Sequence, residues 1–248
     1  MISFNKEQIY IVTGASSGIG EGTALLLNEL GATVVGIARN EERLKAMRAK
    51  SKYPENMHLE IKDLTDDIEG LPKYVKELKN KYGKFSGMAY CAGISDVKPL
   101  QLLEYTEVDY MFKVNCFAPV FFCKGLLDRR NNIGKGTSVV AISSIVSKLN
   151  DKGMLAYSST KAALTAAYRC MAAEVAQSGI RINTVSPSDI KTPMTMCFEA
   201  QSLREGREEK YPLGFGEIDD VANFAVFLLS DKTKWITRQD YIIDCGLV

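Results

Sequence analysis

The chain of 248 residues has one histidine and one tryptophan. His58 sits in Asn-Met-His-Leu-Glu-Ile, which alternates like a strand, so acid–base chemistry calls for another proton carrier. The six cysteines are scattered, with no C-x-x-C pair and no His/Cys cluster. That excludes a disulfide framework and a zinc site; no metal is expected. A formal net charge of +1 supplies no global field for nucleic acid or a membrane surface. No apolar run approaches a membrane span, and residues 1–6 lack the charged-then-apolar signal pattern. A reducing cytoplasm is the expected compartment.

What remains is ordinary globular composition, 46% hydrophobic and 25% charged. Strand-like stretches (8–13, 33–37, 57–61, 87–90, 138–142, 180–185, 241–243) alternate with helix-like ones (20–30, 41–50, 68–82, 108–127, 155–177, 219–229). Such alternation with short apolar strands predicts an α/β fold: a single-domain, doubly wound parallel sheet of Rossmann type over 1–248, with helices on both faces.

Two groups of residues carry chemistry. The first is Thr13-Gly14-Ala15-Ser16-Ser17-Gly18-Ile19-Gly20, placed between a strand and a helix. Its glycines permit a sharp turn and close approach of backbone to a pyrophosphate, and the helix N-terminus offers free N–H groups. The second is Ser144, thirteen residues before Tyr157 in Tyr157-Ser158-Ser159-Thr160-Lys161. On a helix, i and i+4 share a face, so the phenol and the ammonium point into one space. An adjacent ammonium, together with the positive charge of an oxidised nicotinamide, favours phenolate, which predicts a Tyr157 pKa lowered from its ordinary value near 10. After the second strand, Ala38 replaces the acid that would hold a ribose 2′-hydroxyl, and Arg39 offers a guanidinium suited to a 2′-phosphate. NADP(H) is therefore the preferred cofactor, with NAD(H) the alternative.

Over almost its whole length the chain resembles the classical short-chain dehydrogenase/reductase family, whose members move hydride between a nicotinamide cofactor and a carbonyl or alcohol. The resemblance implies that Tyr157 is the proton carrier, Ser144 steadies the substrate oxygen, and Lys161 also holds the nicotinamide ribose. Asn115 matches a fourth member, which binds the water linking Lys161 to solvent. Asp63 and Leu64 match the pair that contacts adenine. Ala92 and Gly93 belong to the turn after the fourth strand, while Pro187, Ile190 and Thr192 match positions around the nicotinamide. Four positions depart from the family pattern: Cys91 replaces an asparagine, and Ser188, Arg238 and Cys245 replace glycines.

The expected function is NADP-dependent hydride transfer with a small-molecule carbonyl or secondary alcohol. The alternatives are a 3-oxoacyl carrier-protein reductase, for which Arg129, Arg130 and Lys135 are candidate contacts, and a non-catalytic cofactor-binding sensor. Lys148, Leu149, Asn150, Met154 and Leu155 are expected to flank the substrate pocket, with a lid over about 194–212. The resemblance implies a homotetramer or homodimer paired through the helices at 108–127 and 155–177. Small residues such as Ala162, Ala166, Ala172 and Ala173 suit such a contact.

Overall fold

The computed structural model describes residues 1–149, 151–196 and 208–248. Its centre is a seven-stranded parallel sheet in the order β3-β2-β1-β4-β5-β6-β7. The strands are β1 (Ile9–Thr13), β2 (Thr33–Ala38), β3 (Met57–Ile61), β4 (Gly87–Tyr90), β5 (Ser138–Ile142), β6 (Arg181–Pro187) and β7 (Asp240–Ile243). The chain moves outward from β1 to β3, then starts again beside β1 with β4. The order thus reverses between β1 and β4, and a crevice opens there at the carboxyl ends of the strands.

Both faces of the sheet are covered, which is why its strands read as nearly continuous apolar runs. One face carries α3 (Leu71–Tyr82), α5 (Ala118–Leu127) and α7 (Leu155–Val175) over a core that includes Ile11, Met88, Val139 and Phe122. The other carries α1 (Gly18–Glu29), α2 (Glu41–Lys50) and, late in the chain, α8 (Ile218–Leu229), over Tyr10, Val12, Ala89 and Val140. Successive residues of a strand thus enter opposite cores, as the two-residue period requires. Gly22 lets α1 and α8 approach closely: a Cβ there would lie 2.5 Å from the Ile218 side chain.

Most bounds fall within two residues of expectation, and three stretches differ by more. The helix foreseen at 68–82 begins at Leu71, where Pro72 occupies the first turn and the Asp67 carboxylate accepts from the Gly70 N–H at 2.9 Å. The foreseen 108–127 helix is α4 (Tyr105–Phe112), a π turn (Lys113–Phe117) and α5. Glu104 and Glu107 form a reciprocal cap that starts α4 early. The π turn follows from Pro119, which has no N–H to return to the carbonyl of Asn115 four residues before it. Between β5 and α7 lies one helical turn, α6 (Val146–Leu149). Most of the expected lid at 194–212 lies outside the described residues.

Candidate active site

A cavity of about 620 Å³ runs along the crevice, from the turn after β1 to the start of α7. Its floor is the glycine turn. Gly14 has φ +67°, and a Cβ there would lie 2.9 Å from the Ala92 nitrogen. A Cβ on Gly20 would lie 2.3 Å from the Gly14 carbonyl oxygen. Only glycine fits at either position. Thr13 ties the floor together: its Oγ1 accepts from the N–H groups of Cys91 (3.1 Å) and Ala92 (3.2 Å). At the N-terminus of α1, the Ser17 side chain makes no capping bond. The first-turn donors there remain available to an anion, as a pyrophosphate would need.

At one end, Arg39 lies 3.5 Å from the Asp63 carboxylate and donates to the Tyr110 hydroxyl at 3.4 Å. Burial pushes the Asp63 carboxyl up, but hydrogen bonds from the Thr65 hydroxyl and N–H, with the Arg39 charge, hold it below its ordinary value. Arg43 and Lys62 line the same end. Sequence reasoning passed over both. Arg43 follows Arg39 by four residues, and its N–H is held at 2.9 Å by Asn40, which caps α2. The cavity thus has three cations at one end and an uncapped helix terminus midway, which suits a phosphorylated dinucleotide.

At the other end stand Ser144, Tyr157 and Lys161. Ser144 follows β5; its hydroxyl lies beside the Tyr157 phenol and accepts from the Val146 N–H at 3.4 Å. The adjacent Ser143 points elsewhere, to the Lys161 carbonyl (3.2 Å) and the Thr165 hydroxyl (2.8 Å). Lys161 is buried; its Nζ donates to the Ile142 carbonyl at 2.9 Å and lies 5.6 Å from the centre of the Tyr157 ring. Burial draws the ammonium down to about 8, partly opposed by Cys91. In the protein by itself burial pushes the Tyr157 phenol up to about 12, where the sequence reading has the ammonium and an oxidised nicotinamide together lowering it; the Ser144 hydroxyl works against the rise, and the Asp189 charge adds to it. Desolvation decides the direction.

Asn115 is buried in the π turn with its amide fully engaged. It accepts from Ile94 N–H at 2.9 Å and donates to the Ile94 carbonyl (2.8 Å) and Thr160 (3.1 Å). Gly93 lies next to this amide, and Leu64, Pro187, Ile190 and Thr192 line the cavity. Cys91, in the usual asparagine position, lies beside Thr23, whose hydroxyl donates to the Ile19 carbonyl at 2.7 Å; burial raises the Cys91 thiol to about 12.

The expected pocket flank between Ser144 and Tyr157 is only partly described, and Asn150 is not. None of Lys148, Leu149, Met154 and Leu155 lines this cavity; Ile94, Ser188, Met194 and Thr195 do. Lys148 instead pairs with Asp240 on β7, and Leu155 is exposed on α7. His58 stacks on Tyr82 at 4.7 Å between ring centres, outside the cavity.

A family model described as Enoyl-(Acyl carrier protein) reductase matches residues 14–248. The 3-oxoacyl-(acyl-carrier-protein) reductase FabG of Thermotoga maritima is 30% identical over 243 residues, 97% of this chain and 98% of that protein. The Rickettsia conorii protein of the same name is 32% identical over 242 residues, 96% of this chain and 95% of its own. The chain belongs to the short-chain dehydrogenase/reductase family. This short-chain dehydrogenase/reductase is an oxidoreductase by that membership. Its fold matches a dehydrogenase/reductase from Sinorhizobium meliloti (TM-score 0.88, 26% identity, 99% of this chain and 96% of the other). It also matches a short chain dehydrogenase from Burkholderia cenocepacia in complex with NADP (TM-score 0.87, 25% identity, 98% of each chain).

Proposed function

We propose that this oxidoreductase reduces a ketone with NADPH, and runs the reverse oxidation of a secondary alcohol with NADP⁺. The observation that carries the reading is one cavity with Arg39, Arg43 and Lys62 at one end and Ser144 and Tyr157 beside buried Lys161 at the other. The glycine turn and the α1 N-terminus would hold the pyrophosphate, Asp63 and Leu64 the adenine side, and Ala92, Gly93, Pro187, Ile190 and Thr192 the nicotinamide side. The cationic end favours a 2′-phosphate, so NADP(H) is preferred over NAD(H). The bound nicotinamide supplies the hydride that goes to the carbonyl carbon.

Tyr157 gives its phenolic proton to the carbonyl oxygen, and Ser144 donates a hydrogen bond to the same oxygen as charge builds there. A phenol raised to about 12 stays protonated at neutral pH, which suits a proton donor in reduction. Lys161 steadies the resulting phenolate and holds the cofactor ribose. A water on the Asn115 carbonyl would return the proton from solvent. The test is Tyr157→Phe assayed on ketones, sugars and acyl thioesters. Turnover falls by about 10²–10⁴-fold while NADPH still binds; retention of more than half the wild-type rate refutes the assignment.

A second reading narrows the substrate to a 3-oxoacyl thioester on a carrier protein, and the names of the relatives favour it. Within one chain, Arg129, Arg130 and Lys135 lie before β5, at the opposite end of that strand from Ser144. Arg130 is paired with Asp128 at 2.6 Å. On α7, Leu155, Ser159, Ala162, Ala166, Cys170 and Ala173 are exposed at helical spacing, and Phe117 is exposed on the π turn. Ala172, by contrast, faces the core. We assign the exposed face to contact with a second copy, in a homodimer or homotetramer. The described cysteines are free thiols, which suits a reducing cytoplasm.

A further inference from the structure

We propose that the Lys148–Asp240 ion pair is a positioning clamp that holds the turn carrying Ser144 and thereby sets the place of the Ser144 hydroxyl beside the Tyr157 phenol. The proposal rests on the catalytic reading above, but its residues lie outside the cavity.

Asp240 opens β7, the edge strand beside β6, and its side chain is only 6% exposed. A buried carboxylate is costly unless it is paired and hydrogen-bonded. Here Oδ1 accepts from the hydroxyls of Thr184 (2.8 Å) and Ser186 (2.7 Å), both on β6, and Oδ2 takes the Lys148 ammonium. Lys148 is in α6, which begins two residues after Ser144. The carboxylate therefore joins β6, β7 and the catalytic turn at one point.

Other hydrogen bonds also tie the same turn. The Ile145 N–H donates to the Pro187 carbonyl at 3.0 Å, and Ser147 donates to the Ser144 carbonyl at 2.8 Å. Ser158, next to Tyr157, donates to the Val146 carbonyl at 2.7 Å. These fix the near side of α6 to the end of β6 and the start of α7. The ion pair fixes the far side to the edge of the sheet. Without it, α6 can pivot about Ile145, and the Ser144 hydroxyl, two residues away, drifts from the phenol. Small misplacements of this kind are costly in catalysis. The groups facing Tyr157 are Ser144 after β5, Lys161 on its own helix and Asp189 after β6.

The test uses the full chain with Asp240→Asn, Lys148→Met, Lys148→Arg and the Asp240→Asn/Lys148→Met double variant. Ethyl acetoacetate with NADPH probes reduction, and ethyl 3-hydroxybutyrate with NADP⁺ probes oxidation across pH. Amide hydrogen exchange needs no substrate. Asp240→Asn and Lys148→Met each lower kcat by about 10- to 100-fold, with KM for NADPH unchanged. The double variant is no worse than either single one, and Lys148→Arg stays within about twofold of wild type. The alkaline limb of alcohol oxidation moves to higher pH, because the displaced Ser144 hydroxyl opposes the rise of the phenol less. Amides at 144–149 exchange faster, and those of β1 do not. Wild-type exchange and wild-type kcat in Asp240→Asn overturn the clamp, as does Lys148→Arg impaired as deeply as Lys148→Met. Should Tyr157→Phe remain active, the catalytic reading fails, while the exchange result still decides whether the ion pair holds the turn.

Discussion

Tyr157 and Lys161 are displaced in opposite directions by the same burial. The phenol rises to about 12 and the ammonium falls to about 8, with Nζ 5.6 Å from the ring centre. Each group resists its charged form because protein has replaced water around it. The site in the chain alone is therefore set for a neutral phenol beside a lysine that titrates near neutrality.

Ketone reduction is expected to fall as pH rises through about 8. The phenol remains protonated there, so the limb belongs to Lys161 losing its charge. Stability carries a separate signature. Between about 8 and 10.5 the unfolded chain holds a proton on this lysine that the folded chain has released, so folding gains stability as pH rises through that window. Comparing wild type with Lys161→Met by kcat/KM and by thermal unfolding across pH 7–10 checks both. A rate limb that persists in the variant would assign it to another group.

Arg39→Ala is expected to weaken NADPH binding by about 10- to 100-fold and leave NADH nearly unchanged. Arg43 and Lys62 stand at the same end of the cavity, so Arg43→Ala and Lys62→Ala each lose a smaller part. Fluorescence titrations with both cofactors measure it. Equal affinities of wild type for NADPH and NADH would refute the phosphate-reading role of this end.

Arg238→Gly and Cys245→Gly are each expected to stabilise the fold by about 1 kcal/mol. Both residues sit in the left-handed region, at φ 63° and 51°. The backbone keeps a conformation that suits glycine and holds a side chain there at a steric cost. Denaturant unfolding of the single variants reads the gain, and a loss of stability in both would show that their side chains supply more than the strain removes.

Ala166→Glu is expected to convert the assembly to monomers at micromolar concentration. Ala166 is exposed at the middle of the small-residue face of α7, and at the proposed two-fold contact a carboxylate there would meet its own copy. Light scattering reports the mass. An unchanged oligomer would move the contact to another surface.

Much of the fold was legible because its period is local. The strands at 57–61, 87–90 and 138–142 and the helix at 41–50 appear with the expected bounds, since short apolar runs and the Asn40 cap are read from adjacent residues. The glycine turn and the Ser144–Tyr157–Lys161 spacing were legible for the same reason. Arg43 and Lys62 were not, because a lone cation beside a cap or before an acid looks like any surface residue. Lys148 was assigned to the pocket flank from its position between Ser144 and Tyr157. Its partner, Asp240, is 92 residues away in sequence.

The sequence by itself determined the parallel α/β layout, the glycine turn after β1 and the placing of Tyr157 and Lys161 on one helix face, because each is written in spacing that one strand, turn or helix enforces. The tertiary structure decided the rest. Pro119 made the π turn foreseeable in principle, but only packing against Ile94 and Thr160 commits the Asn115 amide. Only burial sets the direction in which the protein itself shifts Tyr157, since the loss of solvent around a side chain is a property of everything that surrounds it and not of its neighbours in the chain.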